Sequence, residues 1–245
     1  VSLPAAPLVE IFSSLQGEGI FVGCRQIFLR LAGCNLQCSY CDTFHDIPQY
    51  CRCQADPVRG DFRLIPNPLT VQEVVKRVKA LSPHLHHSLS LTGGEPLLHA
   101  TFLAELLPRL PKTREGIYLE TNGTLPEQLE PLLPYVDTIA MDIKLPSTAG
   151  IRPAWEEHRR FLQLASCRRV FVKLIVDHES REEEIEEALR IIRSAGDIPL
   201  VLQPVTAGGK LRAGPAKLFA WQARALEVLS DVRVIPQVHK WLGCP

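Results

Sequence analysis

Three of the chain's eight cysteines fall within eight positions, in the stretch "GCNLQCSYCDT" (33–43). Cys34, Cys38 and Cys41 are spaced C-x3-C-x2-C, and three chemistries suit them. A structural zinc takes four protein ligands, with Cys24, Cys51 or Cys53 as candidates for the fourth. An iron–sulfur cluster held by three thiolates leaves one iron open to another ligand. Disulfide pairing fits least. Disulfide frameworks belong to short secreted chains, whereas this chain has 245 residues and opens on no basic and apolar leader. A cytoplasmic setting is therefore expected.

Three other stretches carry groups that meet polar ligands: "LTGGEPLL" (91–98), "ETNGT" (120–124) and "MDIKLPS" (141–147). A Gly-Gly pair alone is usually a turn, though it can also expose backbone amides and carbonyls to a ligand. Cys51 and Cys53 form a further C-x-C, but two thiols make only half of a metal site. They lie in "FHDIPQYCRCQADPVRGDFRLIPNP", a polar, proline-rich run that reads as a variable loop over 44–69. Cys24, Cys167 and Cys244 read as isolated thiols.

The elements that must position these groups follow from periodicity. Short β-rich runs at 26–32, 88–93, 116–121, 138–143, 170–176 and 200–205 alternate with helical patterns. Val71, Val74, Val75 and Val78 follow Thr70 and Glu73, a capping box. Ile185, Ala188, Leu189 and Ile192 follow Ser180 and Glu183, which suggests a second box, and Gly196 stops that helix. Strand–helix–strand repetition predicts an α/β fold with parallel strands covered by helices. A closed eight-unit barrel needs about 250 residues, so an open, TIM-like partial barrel of about six strands is expected. It would carry an N-terminal extension and a last strand-like run at 232–238, all within one domain over 1–245. The first strand ends near Ala32, so the cysteines lie on the loop at its C-terminal end. The other three stretches end the following strands at the same face, where barrels of this kind do their chemistry.

This order of C-x3-C-x2-C, Gly-Gly-Glu-Pro and Glu-Thr-Asn-Gly at strand ends resembles the radical S-adenosylmethionine (SAM) superfamily. The resemblance spans nearly the whole chain and implies a 4Fe–4S cluster on Cys34, Cys38 and Cys41, with SAM on the open iron. One electron then cleaves the sulfonium to a 5′-deoxyadenosyl radical that abstracts hydrogen. "EIFSSLQGEGIFVG" (10–23), "FLRLAGCNLQCSYCDT" and "IPQVHKWLGCP" (235–245) further resemble the 7-carboxy-7-deazaguanine synthase family. That family converts 6-carboxy-5,6,7,8-tetrahydropterin to 7-carboxy-7-deazaguanine, losing ammonia, in queuosine and 7-deazapurine biosynthesis. A glycyl-radical-enzyme activase shares "MDIKLPS" but lacks the Leu-Gln-Gly-Glu-Gly stretch. A zinc-stabilised binding module would explain the cysteines and leave the other motifs without a role.

The resemblance also implies roles residue by residue. Substrate contacts fall on Leu15, Gln16, Gly17, Thr92, His239 and Pro245, with the Arg30 fork on the substrate carboxylate. SAM contacts fall on Tyr40, Cys41, Asp42, Gly94, Glu120, Asp142, Ile143, Lys144, Gln203, Pro204, Val205 and Thr206. "QPVT" stands where the family more often has Gln-Pro-Met-Asp. Thr43 would ligate magnesium, which keeps most of its ligands from outside the protein. Trp241 and Leu242 read as anchors holding the tail over the barrel mouth. A homodimer and an electron donor such as flavodoxin or ferredoxin complete the expectation. Charge adds nothing to it: 27 acidic and 27 basic residues balance, which gives no reason to expect nucleic acid or a membrane as partner.

Overall fold

The computed structural model describes residues 4–41, 46–56 and 60–244. Its main sheet is built, in chain order, from β1 (Leu8–Leu15), β2 (Arg25–Leu31), β3 (Tyr50–Asp56), β4 (Asp61–Pro66) and β5 (Ser88–Gly93). It continues through β6 (Ile117–Thr121), β7 (Thr138–Ile143), β8 (Arg169–Val176), β9 (Leu200–Pro204) and β10 (Val232–Val234). The ten strands lie in the order β10-β9-β8-β7-β6-β5-β2-β1-β3-β4. From β2 to β10 every neighbouring pair is parallel, and the run expected at 232–238 adds a seventh strand to the partial barrel through Val232–Val234.

Helices return the chain between these strands: α1 (Val71–Ala80), α2 (Ala100–Leu106), α3 (Trp155–Ala165), α4 (Glu182–Ala195) and α5 (Pro215–Leu226). Each turns an apolar stripe inward, as with Val71, Val74 and Val78 on α1. The Thr70–Glu73 capping box is formed in both directions. The second box is not. Arg181 caps α4, and the Ser180 hydroxyl instead accepts from the Asp177 amide and pairs with Thr148.

The run from 44 to 69 differs most from expectation. Within it β3 and β4 form an antiparallel hairpin, and β3 joins the sheet parallel to β1 through Glu10 beside Arg52 and Ile11 beside Cys53. Alternation is the physical reason. Cys51 and Cys53 serve as small apolar residues in the main core, while Tyr50 and Arg52 turn to the opposite face. The two thiols lie 3.6 Å apart, buried away from the cluster loop. The first two dozen residues likewise hold a full strand, β1, antiparallel to β2.

Inside the barrel a small apolar layer of Tyr118, Ala140, Phe171 and Val201 forms a floor. Two residues further along the same strands stand Glu120, Asp142, Lys173 and Gln203. A strand's period of two puts each on the same interior face, one step nearer the C-terminal end. Beyond β10 the chain forms α6 (Val238–Leu242). Trp241 and Leu242 are 58% and 56% exposed, so they do not anchor the tail; α6 buries none of its residues. Among the described residues no helix is long and apolar enough to cross a membrane.

Candidate active site

Two adjoining cavities open at the C-terminal ends of the parallel strands. The first is lined by the thiols of Cys34, Cys38 and Cys41 together with Tyr40, Gly94, Asp142, Lys144, Gln203, Val205 and Thr206. The second takes in Leu15, Gln16, Gly17 and His239. Glu18, Arg30, Thr92 and Glu120 border both. The residues expected at the cofactor and at the substrate thus lie around two neighbouring spaces, with Arg30, Thr92 and Glu120 shared between them. Asp42, Thr43 and Pro245 lie outside the described residues. Ile143 is packed in the hydrophobic core, so only its backbone is available to a ligand, and Pro204 does not line the cavity.

Each strand-end motif grips a different part of the cysteine loop. Gly94 donates its amide to Leu31 O and Glu95 donates to Gly33 O, at 3.2 and 2.9 Å. A methyl group on Gly94 would lie 2.0 Å from the Gly33 oxygen, and one on Gly93 would lie 2.1 Å from the Leu31 oxygen. The Gly-Gly pair therefore permits close backbone approach, and the two amides it helps place serve the loop itself. From the next motif, Asn122 Nδ2 donates to Asn35 Oδ1 at 2.9 Å, and Asn35 Nδ2 donates to Thr124 Oγ1 at 2.9 Å. Just past the third, the Ala149 and Thr148 carbonyls accept from the Ser39 amide and hydroxyl, both at 2.8 Å.

Glu95 locks two of these motifs together. Its fully buried carboxylate accepts from the Leu97 amide, the Asn122 amide and the Thr121 hydroxyl at 3.0, 2.7 and 2.9 Å. Burial pushes its pKa up to about 7 against the pull of those bonds. His158 supports the same segment from α3: its Nε2–H donates to the Asn122 carbonyl at 3.1 Å.

Cys34, Cys38 and Cys41 share one cavity, an arrangement that fits a cluster. Thiolates of a cubane bind different iron atoms and so stand apart. Burial pushes the Cys34 and Cys38 thiols up, so ligation must displace their protons. Gln203 Oε1 and Thr206 Oγ1 line the same cavity buried and without a partner, which marks space for a polar ligand.

A buried string of alternating charge crosses from one cavity to the other. Lys144 Nζ donates to Asp142 Oδ2 at 2.7 Å, and Lys173 Nζ lies 3.2 Å from Asp142 Oδ1 and 2.8 Å from Glu18 Oε2. Gln237 Nε2 donates to Glu18 Oε1 at 2.8 Å. Burial works against the charge on Lys144 and Lys173, but the carboxylates beside them hold both pKa values above the ordinary lysine range. Glu120 stands outside this string. It accepts from Gln16 Nε2 at 2.8 Å and from Thr92 Oγ1 at 3.1 Å.

On the substrate side, Gln16 donates to Gln26 and Glu120 while its oxygen accepts from the Glu18 amide. Its side chain is thus occupied by protein groups and acts on the second cavity by setting Glu120. Arg30 Nε–H donates to Glu10 Oε1 at 2.9 Å, and Arg52 lies 3.5 Å from the other Glu10 oxygen. Gly17 is glycine for a steric reason. A methyl group there would lie 2.2 Å from His239 Nδ1, so the tail packs directly on the loop before β2. Sequence reasoning missed Glu10, Glu18, Glu95 and Lys173. Glu10, Glu18 and Glu95 stood inside quoted motifs, and Lys173 was a lone charge in "VFVKLIV".

Comparison with known proteins agrees with this geometry. Residues 29–205 match the model of the radical SAM superfamily. Over 99% of both chains the sequence is 45% identical to a protein of Geobacter sulfurreducens named 7-carboxy-7-deazaguanine synthase. An Archaeoglobus fulgidus protein of the same name is 36% identical over 97% of this chain and 98% of its own. A crystal structure of QueE from Escherichia coli shares the fold, with a TM-score of 0.61 at 20% identity, covering 96% of this chain and 95% of that one.

Proposed function

From the chain's membership of the radical SAM superfamily, and within it of the 7-carboxy-7-deazaguanine synthase family, we propose how its two cavities divide the work. It is an enzyme that converts 6-carboxy-5,6,7,8-tetrahydropterin to 7-carboxy-7-deazaguanine with loss of ammonia. The observation that carries this reading is the pair of adjoining cavities, one lined by three thiols and the other by Arg30 and His239.

Cys34, Cys38 and Cys41 would hold a 4Fe–4S cluster, and the remainder of the first cavity would hold SAM. Once bound, these supply a reducing electron and the group that abstracts hydrogen from the substrate. The residues of the chain bind and orient. Because Arg30 Nε is engaged by Glu10, a substrate carboxylate would meet the two terminal nitrogens end-on as a bidentate pair. Glu120, fixed by Gln16 and Thr92, presents a carboxylate between the cavities to the amino and amide edge of a pterin. Gly17, with His239 on top of it, roofs the second cavity, which suits a small molecule.

Magnesium would be held at Thr43 beside the cluster loop, with the substrate supplying further oxygens. We also propose a homodimer in the cytoplasm, reduced by flavodoxin or ferredoxin.

The test is anaerobic turnover of 6-carboxy-5,6,7,8-tetrahydropterin by the iron-loaded enzyme, with mass spectrometry of the product. The carboxylated deazaguanine and ammonia are expected. SAM cleavage without that product would overturn the substrate assignment.

A further inference from the structure

Lys173 has no assigned role, and its surroundings are unusual for a lysine. It sits in the middle of β8, 4% exposed, where an unpaired ammonium would cost several kcal/mol. Two carboxylates from different walls offset that cost. Glu18 comes from the loop before β2 and borders both cavities; Asp142 comes from the end of β7 and borders the first alone. Glu18 accepts from Gln237 and Lys173 and Asp142 Oδ2 accepts from Lys144, whereas Asp142 Oδ1 meets Lys173 only as an ion pair and is buried without a hydrogen-bond partner. One ammonium is therefore shared between a carboxylate of the first cavity and one that faces both, 3.2 Å from Asp142 and 2.8 Å from Glu18.

We propose that Lys173 is a positioning residue that makes occupancy of the cofactor cavity and of the substrate cavity interdependent. A ligand donor that takes an oxygen of Asp142 competes with Lys173 there and releases the ammonium toward Glu18. Glu18, held by Gln237 on its other oxygen, is then fixed against the substrate. A cationic ligand in the first cavity adds like-charge repulsion that pushes Lys173 the same way. The coupling is positive and, being thermodynamic, reciprocal: each ligand tightens the other by one factor.

The inference rests on the functional reading above, and ligand binding tests the two separately. The iron-loaded enzyme is kept anaerobic and without reductant, so nothing turns over. Dissociation constants of SAM and of 6-carboxy-5,6,7,8-tetrahydropterin are measured by calorimetry, each with and without saturating partner. In the parent enzyme each ligand should tighten the other by about 5-fold or more, and by the same factor in both directions. In Lys173→Gln both should still bind, with that factor reduced to about 2 or less. Iron content and melting temperature report a merely structural effect, which would change affinities without removing the coupling. Should Lys173→Gln fail to fold, Glu18→Gln carries the test through the same ratio, since it keeps the Asp142 partner. A factor unchanged in whichever variant folds, or a factor of 1 in the parent, overturns the role of Lys173. Failure of either ligand to bind the parent overturns the functional reading and this inference with it.

Discussion

Arg30 shows how one side chain can be half structural. Its Nε is fixed by Glu10, and the ring of Phe12 lies 5.7 Å from its guanidinium carbon. Arg30→Lys keeps the charge and loses the fork. A charge-assisted hydrogen bond is worth about 1.5–3 kcal/mol, so the KM for the pterin should rise at least tenfold while the cluster absorbance persists. Unchanged kinetics would remove Arg30 from the site. Gly94 makes the opposite case, a residue that acts by lacking atoms. Gly94→Ala forces a methyl group onto the Gly33 carbonyl, at a cost of at least about 1–3 kcal/mol of overpacking. Because that carbonyl opens the cysteine loop, iron per chain should fall together with melting temperature; full iron content would refute the fit. Arg30 and Gly94 were legible because each stands in a motif. The reason for Gly94 was not, since the atom it avoids comes from a loop far off in the sequence.

Among elements, the parallel strands were read from sequence nearly residue for residue, because buried strands are continuous apolar runs between helical stripes. The β3–β4 hairpin was not. Its inward positions are two cysteines, and prolines and charges surround them, so "YCRCQAD" carries little apolar signal. The Ser180 capping box failed for a related reason: a hydroxyl that fits a cap in sequence is held elsewhere by Asp177 and Thr148. The hairpin leads to a prediction. Cys51→Ser places a hydroxyl at a fully buried site, costing about 1–3 kcal/mol, whereas the thiol contributes nothing to the cluster loop. Denaturant midpoints should therefore fall while iron content and SAM cleavage stay at parent levels. Loss of iron in that variant would show that the cluster ligands are misassigned.

At the scale of the whole molecule, stability should depend on pH through His158. Burial pushes its pKa down to about 4, and the ring stays neutral with Nε2–H on the Asn122 carbonyl. The unfolded chain takes up this proton below about 6.5, where the folded chain does not. The contribution is thus complete above about pH 6.5 and is lost as pH falls toward 4, amounting to about 3 kcal/mol. His158→Gln keeps a donor for Asn122 and removes the titration, so the gap in unfolding free energy between parent and variant should shift by that amount from pH 7 to pH 4. A pH-independent gap would show that His158 does not titrate across this range. The roof over the second cavity is a further property of the whole chain. Gly17→Ala drives a methyl group into His239 and should raise the substrate dissociation constant at least tenfold with iron content unchanged, on the order of the 1–3 kcal/mol that overpacking costs. Equal affinity would mean that the tail does not close the site. Gln237 and Glu18, which meet beside that contact, are 219 residues apart in the chain. During synthesis the thiols and most of the barrel therefore leave the ribosome well before His239 exists. The cysteine loop can thus be assembled on a nascent chain before His239 exists to pack on Gly17, and the second cavity gains its roof only when α6 is made.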